Sequence, residues 1–218
     1  MADAFASVPP AWRIAAAYPR MAPYADLLVE TSARVGIDPA WLANIIQLES
    51  GGNPQAVNRS GPNPTYATGL IQFIPPVARE YGTSVEALVQ MDGRQQMPYV
   101  EEYFRRQIQR HGPLRSQEDV IGAVFYPAHI GQPDKEFPLK VQRANGGLRT
   151  LRDYTRKLQA KAKLPVEGIG FGGGGVSLPG VTAPGGDARS TLWWSVAAVA
   201  AIGLLLTFNP FGSSHADS

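Results

Sequence analysis

The sequence predicts a mainly α-helical domain, then a Gly/Pro-rich linker, then a single apolar helix long enough to span a membrane. Three observations carry that expectation. Apolar residues recur at helical spacing through most of residues 22–164. The apolar/polar alternation that would mark strands is scarce. Composition changes after Leu164, first to glycine and proline and then to an uncharged apolar stretch. The expected boundaries are an N-terminal extension at 1–21, a helical domain at 22–164, a flexible linker at 165–190, a transmembrane helix at 191–211 and a short polar tail at 212–218.

Met1 to Pro10 has neither a basic start nor a long apolar run and is broken by Pro9-Pro10, so it does not read as a secretory signal. Tyr24 to Val35 reads as a helix through Leu27, Leu28 and Val35. The next helix is the most sharply bounded, with Asp38 as N-cap, Pro39 in first position and Gly51-Gly52 as the stop. A loop of turn formers follows, with Gly61, Pro62, Asn63 and Pro64. Helices are then expected over Pro75–Tyr81, Ser84–Val89, Met97–His111 and Gln117–Phe125. The last, Leu148–Leu164, places Leu148, Leu151, Tyr154/Thr155 and Leu158 on one side and cations around the rest.

The linker contains Gly168-Ile169-Gly170-Phe171-Gly172-Gly173-Gly174-Gly175, which lacks the Lys-Ser/Thr ending of a phosphate loop. From Thr191 to Phe208 the chain has no charged residue, and 18 helical residues reach about 27 Å, enough for a hydrocarbon core. Trp193, Trp194, Phe208 and Phe211 stand where interfacial aromatics belong.

The formal net charge of +2 hides an uneven distribution: residues 1–164 hold 19 of the 20 Lys and Arg against 15 of the 18 Asp and Glu. From Lys135 to Lys163 there are nine basic residues and two acidic ones, which reads either as a solvated helix face or as a surface for an anionic wall polymer or lipid headgroups. No nucleic-acid motif accompanies this charge, and no nucleic-acid partner is expected. Cysteine is absent, and His111, His129 and His215 lie far apart without ligand spacing, so neither a metal nor another cofactor is expected. His129 has two readings, structural or cleft-lining.

Glu49 is a carboxylate on an otherwise apolar helical face, sharing it with Ile46, Ile45 and Leu42 at i−3, i−4 and i−7. Held there, it should be desolvated, with a raised pKa suited to a general acid. The ordinary reading, a helix-terminal glutamate reaching water past the last turn, stands beside it. The run Glu49-Ser50-Gly51-Gly52-Asn53-Pro54, followed by Gly69-Leu70-Ile71-Gln72, resembles the soluble lytic transglycosylase family, whose pattern is E-S-x-x-N-P and then G-L-M-Q. A third family segment, alanine-tyrosine-asparagine-alanine-glycine, has its counterpart in Phe125-Tyr126-Pro127-Ala128, where Tyr126 matches and Pro127 replaces the asparagine. The wider segment, Val124 to Gly131, is similar to the variant in phage-encoded transglycosylases. The resemblance covers about residues 22–158.

It implies a lysozyme-like catalytic domain acting on peptidoglycan glycan strands, with Glu49 first protonating the bond between N-acetylmuramic acid and N-acetylglucosamine and then deprotonating the muramyl 6-hydroxyl. It further implies substrate contacts from Gln72 and Tyr126. Ser50 reads as substrate-binding or helix-capping, Thr68 and Gly69 as cleft floor, and Tyr126 has a core reading as well. Phe73 and Tyr81 read as core or sugar platform. The nearest acidic residue after Glu49 is Glu80, so a second carboxylate would have to come from the fold. A hydrolytic muramidase and a non-catalytic wall-binding, membrane-penetrating protein are the alternatives. The layout is similar to internal-membrane transglycosylases of tectivirus-like phages, which implies a single-pass protein of a virion internal or host membrane, other virion membrane proteins as partners, and action on the periplasmic wall.

Overall fold

The computed structural model describes residues 8–59 and 66–171. Its helices are α1 (Pro10–Ala17), α2 (Ala25–Val35), α3 (Pro39–Ser50), α4 (Pro75–Glu80), α5 (Val85–Leu88), α6 (Gly93–His111), α7 (Gln117–Phe125), α8 (Leu139–Ala144) and α9 (Leu151–Gln159), with 3-10 turns at Pro19–Tyr24 and Pro127–His129. Two short strands, β1 (Val57–Asn58) and β2 (Ala67–Thr68), pair antiparallel with Val57 opposite Thr68.

The fold is built around α3. Asp38 caps it by accepting from the Ala40 N–H at 2.8 Å, Pro39 opens it, and Gly51 ends it in the left-handed region at φ 62°. Leu42, Ala43, Asn44, Ile45 and Ile46 are all buried, so α3 is a central helix covered on nearly every side. Each such leucine or isoleucine contributes about 1.5–3 kcal/mol by leaving water. Asn44 tolerates this burial because its polar atoms are satisfied: Tyr18 donates to its Oδ1 at 2.6 Å, and its Nδ2 donates to Gln117 Oε1 at 3.1 Å and the Leu164 carbonyl at 3.2 Å.

On one flank α2 lies along α6. Arg94 pairs with Asp26 at 2.6 Å and Arg34 with Glu101 at 2.8 Å, so the two helices run parallel in register. Gly93 has no room for a side chain, because a Cβ there would enter the Tyr24 ring. On the other flank α7 packs against α9.

The structure departs from the sequence reading in several places. Helix α6 starts at Gly93, not Met97, because Asp92 and Gln95 form a capping box; Pro98 is accommodated in the second turn. Helix α9 starts at Leu151, not Leu148, for the same reason, with Thr150 and Asp153 as the box, and it ends at Gln159. The β1–β2 pair was not anticipated. Ile14, Tyr18 and Met21, which the sequence assigns to an N-terminal extension, are buried in the core.

The start of the predicted linker is docked. Trp41 Nε1 donates to the Val166 carbonyl at 2.7 Å, and the Ile169 and Gly170 N–H groups donate to the Asp38 carboxylate at 3.0 and 2.7 Å. The rest of that linker, the expected membrane helix at 191–211 and the tail at 212–218 lie outside the described residues. Among the described residues no helix is long and apolar enough to cross a membrane.

Candidate active site

Glu49 stands in the last turn of α3 and is 1 % exposed, so it does not reach water past the helix end. Among the described residues neither carboxylate oxygen has a hydrogen-bond partner. Burial pushes its pKa from the ordinary 4.5 up to about 8, and no cation or carboxylate among the described residues contributes. Glu80 is engaged elsewhere, pairing with Arg106 at 3.3 Å and Arg110 at 2.9 Å. Glu49 is therefore a lone acid that holds its proton at neutral pH.

Two tyrosines feel its charge. Burial raises the Tyr154 phenol far above its usual range and the Glu49 carboxylate adds to the rise; for Tyr103 the causes are burial, then Tyr81 and Glu49. Tyr103 from α6 donates to the Ala123 carbonyl at 2.7 Å. Tyr154 from α9 is 1 % exposed, and its hydroxyl has no hydrogen-bond partner among the described residues. A buried phenol without a partner is costly. The sequence reading put Tyr154 merely on the apolar side of a helix; its only sequence signal is a tyrosine in a run otherwise filled by leucines.

Below Glu49, the Gly69–Gln72 turn is tied to α3 and α6. Ser50 Oγ lies 3.0 Å from both the Ile46 and Leu70 carbonyls, joining the last turn of α3 to the turn. Thr68 is buried and exchanges both backbone hydrogen bonds with Phe73, at 2.9 and 2.8 Å. Gly69, at φ 84°, donates to the Ala56 carbonyl at 2.9 Å, and a Cβ at this position would lie 2.5 Å from Gln96 Oε1. Gln96 explains that closeness: its Oε1 accepts from the Leu70 N–H at 2.9 Å, and its Nε2 donates to the Pro54 and Leu88 carbonyls at 2.6 and 2.8 Å. Gln96, not foreseen in the sequence, thus clamps the turn. Gln72 adopts a left-handed φ of 56°; its Nε2 donates to the Gly69 carbonyl at 3.0 Å, while its Oε1 is buried and unpaired.

A third wall comes from the end of α7. Tyr126, half-buried, meets His129 at 4.7 Å and Phe137 at 5.3 Å edge to face, and His129 stacks on Phe137 at 5.2 Å. His129 is buried with Nδ1 unpaired; burial, then the Lys135 charge, lower its pKa, so it stays neutral. Phe125 links this wall to the glutamate side, touching Phe137 at 5.4 Å and Tyr154 at 4.9 Å. Phe73 is buried and meets Tyr81 and Tyr103 edge to face, within the core rather than as a sugar platform. Ser50, Thr68, Gly69 and Gln72 thus form one hydrogen-bonded unit beside Glu49, and Tyr126 belongs to a separate aromatic wall. Among the described residues no cluster of three His, Cys, Asp or Glu could hold a metal.

The described residues thus bring a buried glutamate, a glycine-bearing turn and an aromatic wall into one helical domain. Residues 26–99 match the family model of the Transglycosylase SLT domain. The match takes in Glu49, Ser50, Thr68, Gly69 and Gln72, and ends before Tyr126 and Tyr154. No curated protein and no solved structure matches the chain.

Proposed function

We propose that the protein is a peptidoglycan lytic transglycosylase, a carbon–oxygen lyase on polysaccharide, with Glu49 as its single acid and base. The observation that carries this reading is the isolation of Glu49: buried, unpaired, pushed up to about 8, with no second carboxylate acting on it. Hydrolysis by a retaining or inverting route draws on two carboxyl groups. One carboxyl suffices if the nucleophile is already part of the substrate. Protonated Glu49 gives its proton to the oxygen between N-acetylmuramic acid and N-acetylglucosamine, and the C1–O bond breaks as oxocarbenium character develops. The resulting carboxylate then takes the proton of the muramyl 6-hydroxyl as that oxygen bonds to C1. The products are a 1,6-anhydro end and a free 4-hydroxyl, no water is consumed, and Glu49 ends protonated as it began.

To the Tyr154 hydroxyl, a buried donor that feels the Glu49 charge and whose own proton is not lost in the working pH range, we assign the support of the carboxylate between the two steps. Tyr126 and the Gln72 Oε1 are the groups we assign to holding the sugar, with Ser50, Thr68 and Gly69 shaping the floor beneath it. The test is digestion of purified peptidoglycan by the full chain and by Glu49→Gln, with released fragments read by mass spectrometry. Anhydro ends, one water lighter than reducing ends and absent with Glu49→Gln, are expected; reducing ends would instead make the protein a muramidase, and no release a wall-binding protein.

We further propose that the enzyme is membrane-held through residues 191–211 and acts from a virion during cell-wall penetration. This rests on the composition of that segment and on the similarity of layout noted above. Alkaline carbonate extraction of membranes carrying the full chain tests the anchor: release into the soluble fraction would refute it.

A further inference from the structure

Acidic groups of the described C-terminal part pair with three of its arginines. Arg152 pairs with Asp134 at 2.5 Å and with Glu118 at 3.7 Å, Arg156 pairs with Asp153 at 3.2 Å, and Arg149 pairs with Glu136. Six cations of the same stretch, Lys135, Lys140, Arg143, Lys157, Lys161 and Lys163, are left without an ion pair among the described residues. Their positive potential is felt by their neighbours: after burial, Lys161 is what lowers Lys157, and Lys135 is what lowers His129.

Arg152 N–H donates to the Pro133 carbonyl at 3.0 Å and Phe137 N–H to the Arg149 carbonyl at 2.8 Å, so the segment leading into α8 lies against the start of α9. Within α8, Val141 turns inward, while Leu139, Lys140 and Arg143 are exposed. Leu139 is 67 % exposed, a large apolar side chain left in water next to unpaired cations. A phosphodiester polymer has no use for a leucine at its binding face. A bilayer surface does, because apolar side chains enter the headgroup boundary while lysine stems lie along it and their ammonium groups meet phosphate.

We propose that the basic stretch through α8 and α9 binds the surface of an anionic phospholipid bilayer, with Leu139 entering the headgroup region and unpaired cations of the stretch meeting lipid phosphates. The proposal is independent of the catalytic reading of Glu49. Near such a surface each cation strengthens partitioning about fivefold, and the attraction is screened by salt.

The test is co-sedimentation of the full chain with vesicles of phosphatidylcholine alone and with added phosphatidylglycerol. A membrane segment at 191–211 would contribute to both, so the readout is the preference for the anionic vesicles. The wild type is expected to show a preference of about tenfold or more that disappears in about 0.5 M salt. Lys140→Glu with Arg143→Glu, and separately Lys157→Glu with Lys161→Glu, should each remove most of it, and Leu139→Ser should lower it while peptidoglycan release is retained. Equal binding to both vesicle types would overturn the proposal, a result that needs no variant. So would charge-reversed proteins that keep the preference, or displacement by a soluble polyphosphate with Leu139→Ser indistinguishable from wild type, which would mark a site for phosphodiester polymers.

Discussion

Replacing Glu49 by glutamine should stabilise the fold at neutral pH and not at acid pH. In the unfolded chain the carboxyl titrates near 4.5, and in the folded protein burial pushes it up to about 8. A carboxyl whose folded pKa is raised favours the fold fully below the unfolded value. That contribution is then lost as pH rises towards the folded value, because the unfolded state releases its proton first. From these two values the loss is under about 0.5 kcal/mol at pH 4, about 3 kcal/mol at pH 7 and nearly 5 kcal/mol at pH 9. Glutamine has nearly the same shape and no charge to desolvate, so any constant effect of the substitution cancels in the pH dependence. Urea unfolding of both proteins at pH 4, 7 and 9, followed by circular dichroism, measures the difference. The stability of Glu49→Gln over wild type should grow by about 3 kcal/mol between the first two pH values. A difference that stays flat would mean that Glu49 is already ionised or solvated in the fold, and the argument for a protonated acid would fail.

The same raised pKa sets the catalytic profile: kcat/KM for peptidoglycan should hold up to about pH 8 and fall above it as Glu49 loses its proton. Tyr154→Phe deletes a hydroxyl that makes no hydrogen bond, so its melting temperature should not fall, while turnover drops about tenfold or more. Gln96→Ala unclamps the Gly69–Gln72 turn and strands the Leu70 N–H, for a loss of about 2–3 kcal/mol in urea unfolding. Gly69→Ala meets both a left-handed φ and the Gln96 side chain and should cost about 1–3 kcal/mol by the same assay.

What could be read from the sequence was local. Asp38, Pro39 and Gly51 mark α3 because caps are chosen by the chain within a few residues of the helix end, and the apolar neighbours of Glu49 follow from helical spacing alone. The α1 helix was missed because Pro9-Pro10 reads as a breaker, yet Pro10 occupies the first helical position, where its missing N–H is no loss. The strands were missed because two residues each carry no period. Gln96 and Tyr154 were out of reach for another reason. Nothing adjacent to them in sequence differs from an ordinary helix: Gln96 gains its role from the Leu70 N–H some 26 residues away, and the burial of Tyr154 near the charge of Glu49 is set by the fold.

The departure at Pro127 has a structural counterpart. Proline fixes φ and has no N–H, so the chain leaving α7 turns at once into the Pro127–His129 3-10 turn. That turn carries His129 into the aromatic wall, stacked on Phe137 and edge to face with Tyr126. An asparagine at 127 would present an amide with two donors and an acceptor; here the turn carries a neutral imidazole whose Nδ1 is buried without a partner among the described residues. His129→Gly would remove both the stack and that nitrogen. If the wall only supports the fold, the variant melts lower with an unchanged KM; if Nδ1 meets the glycan, KM rises beyond what the lost stability explains. Pro127→Asn in the His129→Gly background separates the two further, since it restores an amide without restoring the stack, and recovery of KM alone would assign the contact to the polar group.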